Sequence, residues 1–108
     1  MADERTNRRR HPRVGIPLEA RWEGQSGKHA ARVAEISLGG CYVESIGQVT
    51  KGERITFQVQ TPRGRWLLLH GEIVYHDENM GFGVRFLPLA PPTERRLAEI
   101  IEAAGGVR

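Results

Sequence analysis

The residues of this chain that are best suited to binding an anion are a dense cluster of arginines, in Arg8-Arg9-Arg10-His11-Pro12-Arg13. A guanidinium group presents a planar fork that binds phosphate bidentately, pairs with the O6/N7 edge of guanine and stacks on a purine. Pro12 favours an extended conformation at the preceding residue, so the cluster is expected on an arm or loop. In an extended segment Arg9 and Arg13 share one side, which favours both holding one anionic ligand.

A second candidate site lies in Glu35-Ile36-Ser37-Leu38-Gly39-Gly40, which reads as a turn between two strand-like runs. The Ser37 hydroxyl can donate to a phosphate or a base edge, and the glycines allow close approach of the backbone to a ligand. Exposed N–H groups in such a turn form an anion-binding nest. The Glu35 carboxylate is unhelpful in a plain phosphate site but suits the N1–H and N2–H₂ edge of guanine. The two segments together predict a site for a phosphate- and purine-bearing ligand.

Six strand-like runs separated by turn signals have to position these segments. They run from Val14 to Trp22, His29 to Ile36, Cys41 to Ser45, Ile55 to Val59, Trp66 to Tyr75 and Gly81 to Phe86. Proline cannot donate to a strand ladder, so Pro17 predicts that the first strand lies at an edge or carries a bulge. Strict alternation assigns Ile73 and Tyr75 to one apolar face of the fifth run.

The apolar period changes after Pro91-Pro92, where Thr93 can cap a helix. Leu97, Ile100, Ile101 and Ala104 form one apolar stripe, and Gly105-Gly106 ends the pattern. The sequence therefore predicts a helix over residues 93–104 that packs on a closed or nearly closed, mainly β barrel.

Composition narrows the class of protein. With 108 residues the chain makes one domain, and its net charge of +3 with five arginines between Met1 and Arg13 favours an anionic partner. Cys41 is the only cysteine, which excludes an internal disulfide and fits a reducing compartment. The sequence has no apolar run of the roughly 18 residues that a membrane helix needs and no secretory signal, so a cytoplasmic protein is expected.

The two motifs together resemble those of the PilZ family. Its members carry Arg-x-x-x-Arg before the first strand and (Asp/Asn)-x-Ser-x-x-Gly after the second, which here are Arg9 to Arg13 and Glu35 to Gly40. The strand layout, the Gly83-Val84-Arg85-Phe86 ending and the helix are also similar. The resemblance implies a six-stranded antiparallel PilZ-type β-barrel with a C-terminal helix over residues 14–108, after a flexible Arg-rich arm over residues 1–13.

The resemblance also implies the function of a cyclic di-GMP receptor in bacterial second-messenger signalling, with no cofactor and no catalysis. The implied ligand-binding residues are Arg8, Arg9, Arg10, Arg13, Glu35, Ser37, Gly39, Gly40 and Tyr75. Tyr75 is assigned an aromatic edge towards the ligand, and the alternation favours core packing for it instead. Glu35 departs from the family pattern because its carboxylate is one methylene further from the backbone than that of Asp.

Three other classes of function remain open. The first is a PilZ-type adaptor that has lost nucleotide binding and acts by protein–protein contact. A cyclic di-GMP receptor would also need a downstream protein partner or a change of oligomeric state to pass on its signal. A nucleic-acid-binding barrel is disfavoured, because Phe57, Phe82 and Phe86 fall on apolar faces rather than among basic residues. An enzyme is disfavoured because the four histidines lack metal-ligand spacing and Cys41 is more typical of a small core residue.

Overall fold

The strands of this protein form a closed barrel, and the apolar side chains that alternate along them are buried inside it. The structure is a computed structural model, and it describes residues 17–103. The strands are β1 (Leu18–Gly24), β2 (Gly27–Ile36), β3 (Gly40–Glu44), β4 (Arg54–Gln60), β5 (Trp66–Asp77) and β6 (Gly81–Phe86), and α1 is Pro91–Ala103. All neighbouring strands are antiparallel, in the closed order β1-β2-β3-β6-β5-β4. Within these residues, the predicted six-stranded antiparallel barrel with one helix is confirmed.

Several predictions concern residues outside the described part of the chain. They are the arm over residues 1–13 with Arg8, Arg9, Arg10 and Arg13, the start of the first strand at Val14, and the helix end from Ala104 to Gly106. These stay predictions.

Strand β1 is not an edge strand, which corrects the expectation drawn from Pro17. Pro17 comes immediately before the strand, so the ladder never needs its missing N–H group. From Leu18 onward β1 pairs with β2, and from Ala20 to Glu23 it also pairs with β4. This second pairing closes the ring, so every strand of the described barrel has two neighbours.

The barrel interior is filled by the apolar face of each strand. The largest fully buried side chains are those of Phe57, Phe82, Ile36, Leu69, Ile73, Leu97, Val33, Val43 and Val59. Phe86 is buried as well, so the prediction that all three phenylalanines lie on apolar faces is confirmed. Leu97, Ile100 and Ile101 of α1 belong to the same cluster, as the helical stripe predicted.

Helix α1 begins at Pro91, two residues before the predicted start at Thr93. The Ala90 carbonyl accepts the Glu94 N–H at 2.9 Å, so Ala90 holds the N-cap position and Thr93 lies inside the first turn. Pro91 and Pro92 have no N–H groups, and this first turn therefore has fewer donors for a capping side chain to satisfy. Within residues 17–103, no helix is long and apolar enough to cross a membrane.

Two β-bulges interrupt the regular alternation. In β2 the register against β3 shifts between Val33 and Glu35, which pair with Val43 and Tyr42. In β5 the register against β6 shifts between Ile73 and Tyr75, which pair with Val84 and Gly83. Each bulge inserts one extra residue and turns the following side chain to the other face of the sheet.

A buried carboxylate ties two turns together at one end of the barrel. Glu53 is only 8% exposed. Its Oε2 accepts the Gln25 N–H at 2.8 Å, and its Oε1 accepts the Thr50 N–H at 2.9 Å. The β1–β2 turn is thereby fastened to the turn that leads into β4.

We predict that Glu53→Ala lowers the free energy of unfolding by about 2–3 kcal/mol, because two backbone N–H groups lose their acceptor. Urea unfolding followed by tryptophan fluorescence measures the loss. Glu19→Ala is the control, since Glu19 is exposed on β1, and a change within about 0.5 kcal/mol is expected there. An equal effect of the two substitutions would contradict the assignment.

Candidate functional site

The two bulges bring Glu35 and Tyr75 onto one outer face of the barrel. Across the sheet, Glu35 of β2 pairs with Tyr42 of β3, Tyr42 pairs with Gly83 of β6, and Gly83 pairs with Tyr75 of β5. Glu35 is exposed, and Tyr75 is 47% exposed. The expectation that Tyr75 packs in the core is wrong, because the β5 bulge reverses its direction after Ile73. We call this row of four residues, Glu35-Tyr42-Gly83-Tyr75, the outer row.

The two tyrosine rings lie over glycines of β6. A Cβ placed on Gly83 would overlap the Tyr75 ring, and one placed on Gly81 would meet the Tyr42 ring and hydroxyl at 3.1 and 3.0 Å. The ring centroids are 6.2 Å apart, with an angle of 28° between the planes. Gly83 therefore gives the Tyr75 ring room to lie close against the sheet. At Gly81 an added Cβ would also overlap the carbonyl oxygen of Val43, so close strand packing by itself requires glycine there.

Tyr42 is fixed by a hydrogen bond at its hydroxyl. The Tyr42 O–H donates to Asp77 Oδ2 at 3.0 Å, and Asp77 lies two residues beyond Tyr75 on the same strand. Partial burial raises the pKa of Tyr42 to about 12, and the bond to Asp77 and the negative charges of Asp77 and Glu44 add to the rise. Tyr42 therefore stays a neutral donor at physiological pH.

The loop after β2 is closed by the Ser37 side chain. Its Oγ accepts the N–H groups of Gly39 and Gly40 at 3.2 and 3.3 Å, and the Ser37 N–H donates to the Gly40 carbonyl at 2.8 Å. These two glycine N–H groups thus point at Ser37 and do not form the open anion nest that the sequence suggested. Ser37 is buried, at 7% exposure, and it shapes the loop beside the outer row. A direct contact of Ser37 with ligand stays a prediction.

Gly39 and Gly40 fasten this loop to β6. The Gly39 carbonyl accepts the Phe86 N–H at 2.9 Å. Gly40 pairs with Arg85, and a Cβ at Gly40 would overlap the carbonyl oxygen of Val84. Close strand packing is thus sufficient reason for glycine at position 40, and contact of either glycine with ligand stays a prediction.

The outer face around this row is rich in carboxylates. Glu44 and Asp77 both pair with Gly81 in the row next to Glu35, with Arg32 across from Glu44. Arg85 lies beside Gly40, but its guanidinium is 2.6 Å from the Glu72 carboxylate. Carboxylates repel phosphate, so this face by itself suits the base edges of a nucleotide better than its phosphates.

A surface groove on the opposite side of the barrel contains none of the predicted ligand residues. It is lined by residues of β1, β2 and β4, among them Arg21, Lys28 and Gln58. Arg21 is already occupied, since its guanidinium lies 3.9 Å from the centroid of Trp66 and its Nε donates to Gln58 at 2.6 Å. The groove therefore offers less free cationic charge than its composition suggests.

Two potential nucleophiles, Cys41 and Ser26, lie in environments that do not activate them. Cys41 is half-buried against the core, and burial raises the pKa of its thiol, which disfavours the nucleophilic thiolate. Ser26 lies 2.9 Å from His29 Nε2, but its hydroxyl donates to the Gln48 carbonyl at 3.0 Å. His29 is then not the acceptor of the Ser26 proton, as a nucleophilic pair requires. Among residues 17–103, no three His, Cys, Asp or Glu side chains form a potential metal site.

Sequence reasoning missed Tyr42 and Asp77. The signal for Tyr42 was present, because Cys41 and Val43 were assigned to the inner face and the residue between them must point outward. The hydrogen bond from Tyr42 to Asp77 joins β3 to β5 across β6, and no local sequence pattern predicts such a non-local pair.

The closed six-stranded barrel with its packed helix is the fold of a PilZ-type domain. The PilZ domain family model matches residues 7–103, and the chain belongs to this family. No protein with curated annotation matches the chain in sequence.

Solved structures share the fold. The PilZ domain of YcgR from Escherichia coli with c-di-GMP has a TM-score of 0.77 and 20% identity, covering 91% of this chain and 92% of that one. The structure of the Bacillus subtilis inhibitor of motility MotI/DgrA has a TM-score of 0.74 and 18% identity, covering 94% of this chain and 53% of that one. YcgR in complex with c-di-GMP has a TM-score of 0.78 and 21% identity, with 91% and 46% covered. The chain thus spans about half the length of MotI and of the longer YcgR structure.

We predict that Gly40→Ala destabilises the protein in the absence of any ligand. The added Cβ meets backbone rather than a movable side chain, so the free energy of unfolding should fall by about 2–3 kcal/mol. Gly64→Ala is the control, with open space around the Cβ but a φ of 88°, and about 1 kcal/mol is expected there. Wild-type stability of Gly40→Ala would show that strand packing does not require this glycine.

We also predict that Tyr42 ionises at a pKa of about 12, above the ordinary value of about 10. The chain has two tyrosines, so ultraviolet titration of Tyr75→Phe reports Tyr42 alone. Asp77→Asn in this background should lower the pKa towards the ordinary value. The stability contributed by neutral Tyr42 is complete below about pH 10 and is lost as the pH rises through about 12. Ionisation near pH 10 in folded Tyr75→Phe would contradict the bond to Asp77.

Proposed function

We propose that this protein is a receptor for cyclic di-GMP that transmits a bacterial second-messenger signal without catalysis. The observation that supports the proposal most directly is the outer row, where Glu35, the exposed ring of Tyr75 and the half-buried ring of Tyr42 share one face beside the Ser37–Gly40 loop. Membership of the PilZ family and the fold shared with c-di-GMP-bound YcgR support it.

Charge suggests which part of the chain binds the guanine bases and which part binds the phosphates. Glu35, Glu44 and Asp77 make the described face unfavourable for phosphate, while the carboxylate of Glu35 suits the N–H edge of guanine. The phosphates then need cations from another part of the chain. Residues 1–13 contain five arginines, and we propose that Arg9 and Arg13 grip phosphate and guanine, with Arg8 and Arg10 adding to the clamp. Ordering of this arm over the barrel would be the signal that a cytoplasmic partner protein reads.

We predict that the wild-type protein binds cyclic di-GMP with micromolar or tighter affinity in calorimetric titration, and that GTP and cyclic AMP bind far more weakly. Arg9→Ala and Arg13→Ala should each weaken binding at least tenfold, because each removes a charge-assisted bidentate contact. Both variants should unfold like the wild type, since the arginines lie before the first strand of the barrel.

Arg63→Ala is a matched control, because Arg63 is exposed in the β4–β5 turn before the Trp66 end of β5, whereas Tyr75 of the outer row lies near the other end of that strand. Unchanged affinity in both Arg9→Ala and Arg13→Ala would overturn the site assignment. An absence of heat and of thermal shift with the wild type would overturn the receptor function itself.

The second candidate is a PilZ-type adaptor that acts by protein–protein contact without nucleotide. It is favoured by two unusually exposed apolar side chains, Ile46 at 84% and Met80 at 65%. The Ser45 N–H donates to the Met80 carbonyl at 3.3 Å, which brings the two together at one end of the barrel. The calorimetric titration with cyclic di-GMP separates this candidate from the receptor.

A further inference from the structure

We infer that one end of the barrel is a docking surface for a segment of a partner protein that combines apolar side chains with lysine or arginine. This surface, which we call the end patch, consists of the exposed apolar residues Ile46 and Met80 and the exposed carboxylates of Glu44, Asp77 and Glu78. The inference goes beyond the binding of cyclic di-GMP. It applies to a receptor and to an adaptor alike, because both pass on a signal by contact with another protein.

Ile46 is exposed on a backbone segment that is fixed on both sides. The residue is 84% exposed. On one side, the Ser45 Oγ accepts the Trp22 Nε1–H at 3.1 Å, and the Ser45 N–H donates to the Met80 carbonyl at 3.3 Å. On the other side, Gly47 is buried, and a Cβ there would overlap the Trp22 ring. A partner that covers Ile46 therefore has no loop to order first, which lowers the entropy cost of binding.

Met80 is held next to Ile46 by a tight turn. The Met80 N–H donates to the Asp77 carbonyl at 3.0 Å, and Asn79 within this turn has a φ of 66°, a left-handed conformation that asparagine tolerates. Met80 is 65% exposed, and its unbranched thioether side chain can adapt to the surface of a partner. Removal of these two neighbouring apolar side chains from water favours association.

The carboxylates beside these two residues determine the charge of the partner. Glu44 and Asp77 pair with Gly81 from either side, and both are exposed. Glu78 is exposed in the turn between β5 and β6. The strand register places Arg32 across from Glu44, so the four charged side chains together carry a net negative charge. A partner with cationic side chains is complementary to this end of the barrel.

The local charge disfavours other occupants of the end patch. Nucleic acid and anionic lipid surfaces carry negative charge, and the carboxylates repel them. A two-fold dimer that used the same patch on both copies would bring like charges together. The whole chain carries a net charge of +3, so it does not attract cations in general. Attraction of a basic segment is therefore local to the carboxylates, while the apolar pair supplies the contact area.

The test uses labelled synthetic peptides as probes, with binding to the whole chain measured by fluorescence anisotropy. A peptide that alternates lysine with leucine should bind, and its affinity should fall as salt is added, because salt screens exposed charges. A peptide of the same charge that alternates lysine with serine should bind at least about fivefold more weakly, because it buries no apolar side chain. A peptide that alternates glutamate with leucine should not bind.

Substitutions then locate the site of binding. Ile46→Ser and Met80→Ser should each weaken binding of the lysine–leucine peptide at least about fivefold, because each removes an apolar contact. Both variants should unfold like the wild type, since both residues are mostly in water. Glu78→Gln should weaken binding and reduce its salt dependence. Leu68→Ser is the matched control and should bind like the wild type, because Leu68 is 48% exposed but lies towards the opposite end of β5 from Asp77.

Wild-type affinity for the lysine–leucine peptide in both Ile46→Ser and Met80→Ser would overturn the end patch. Absence of binding by the wild type, or tighter binding of the glutamate–leucine peptide, would overturn it as well. A dimer of the free protein in analytical ultracentrifugation that Ile46→Ser dissociates would show that a second copy occupies the patch, and would overturn the proposed partner. None of these outcomes bears on cyclic di-GMP binding, which calorimetry decides separately.

Discussion

The candidate site depends on two extra residues, one in β2 and one in β5. Without the bulges, period-two alternation would place Glu35 on the same side as Val33 and Tyr75 on the same side as Ile73, inside a barrel that is already full. Each bulge reverses the alternation of inward and outward side chains along its strand. One bulge is in β2, next to β3, and the other is in β5, next to β6. The outer row exists because both reversals happen on the same face.

Closure of the barrel also determines the structural role of Ser37 and Gly40 in the loop after β2. Ser37 accepts the N–H groups of its own loop, and Gly40 permits the close approach of β3 to the Val84 carbonyl. Both residues are thus required by the fold before any ligand is considered. In this protein the loop motif holds the end of β2 in place, and with it the carboxylate of Glu35 beside the tyrosine rings.

The sequence was sufficient to predict the barrel, but it was not sufficient to predict which side chains lie on the outer face of β2, β3, β6 and β5. Alternation in runs such as Ile55-Thr56-Phe57-Gln58-Val59 identifies strands reliably, because one buried face imposes a period of two. Bulges add one residue without any obligatory change of residue type, so the same rule failed for Tyr75. The start of α1 was missed because two prolines removed the need for the capping side chain that usually marks a helix. The outward position of Tyr42 followed from the alternation, but its hydrogen bond to Asp77 was not predictable, because Asp77 lies on a strand that is distant in sequence.

The central claim is that a nucleotide binds on the outer face of β2, β3, β6 and β5. Amide NMR spectra of the whole chain, recorded during titration with cyclic di-GMP, test it most directly. The account predicts that the largest shifts fall on Glu35, the Ser37–Gly40 loop, Tyr42 and Tyr75. Shifts concentrated instead on the opposite face, around Arg21 and Gln58, or no shifts at saturating ligand, would contradict it.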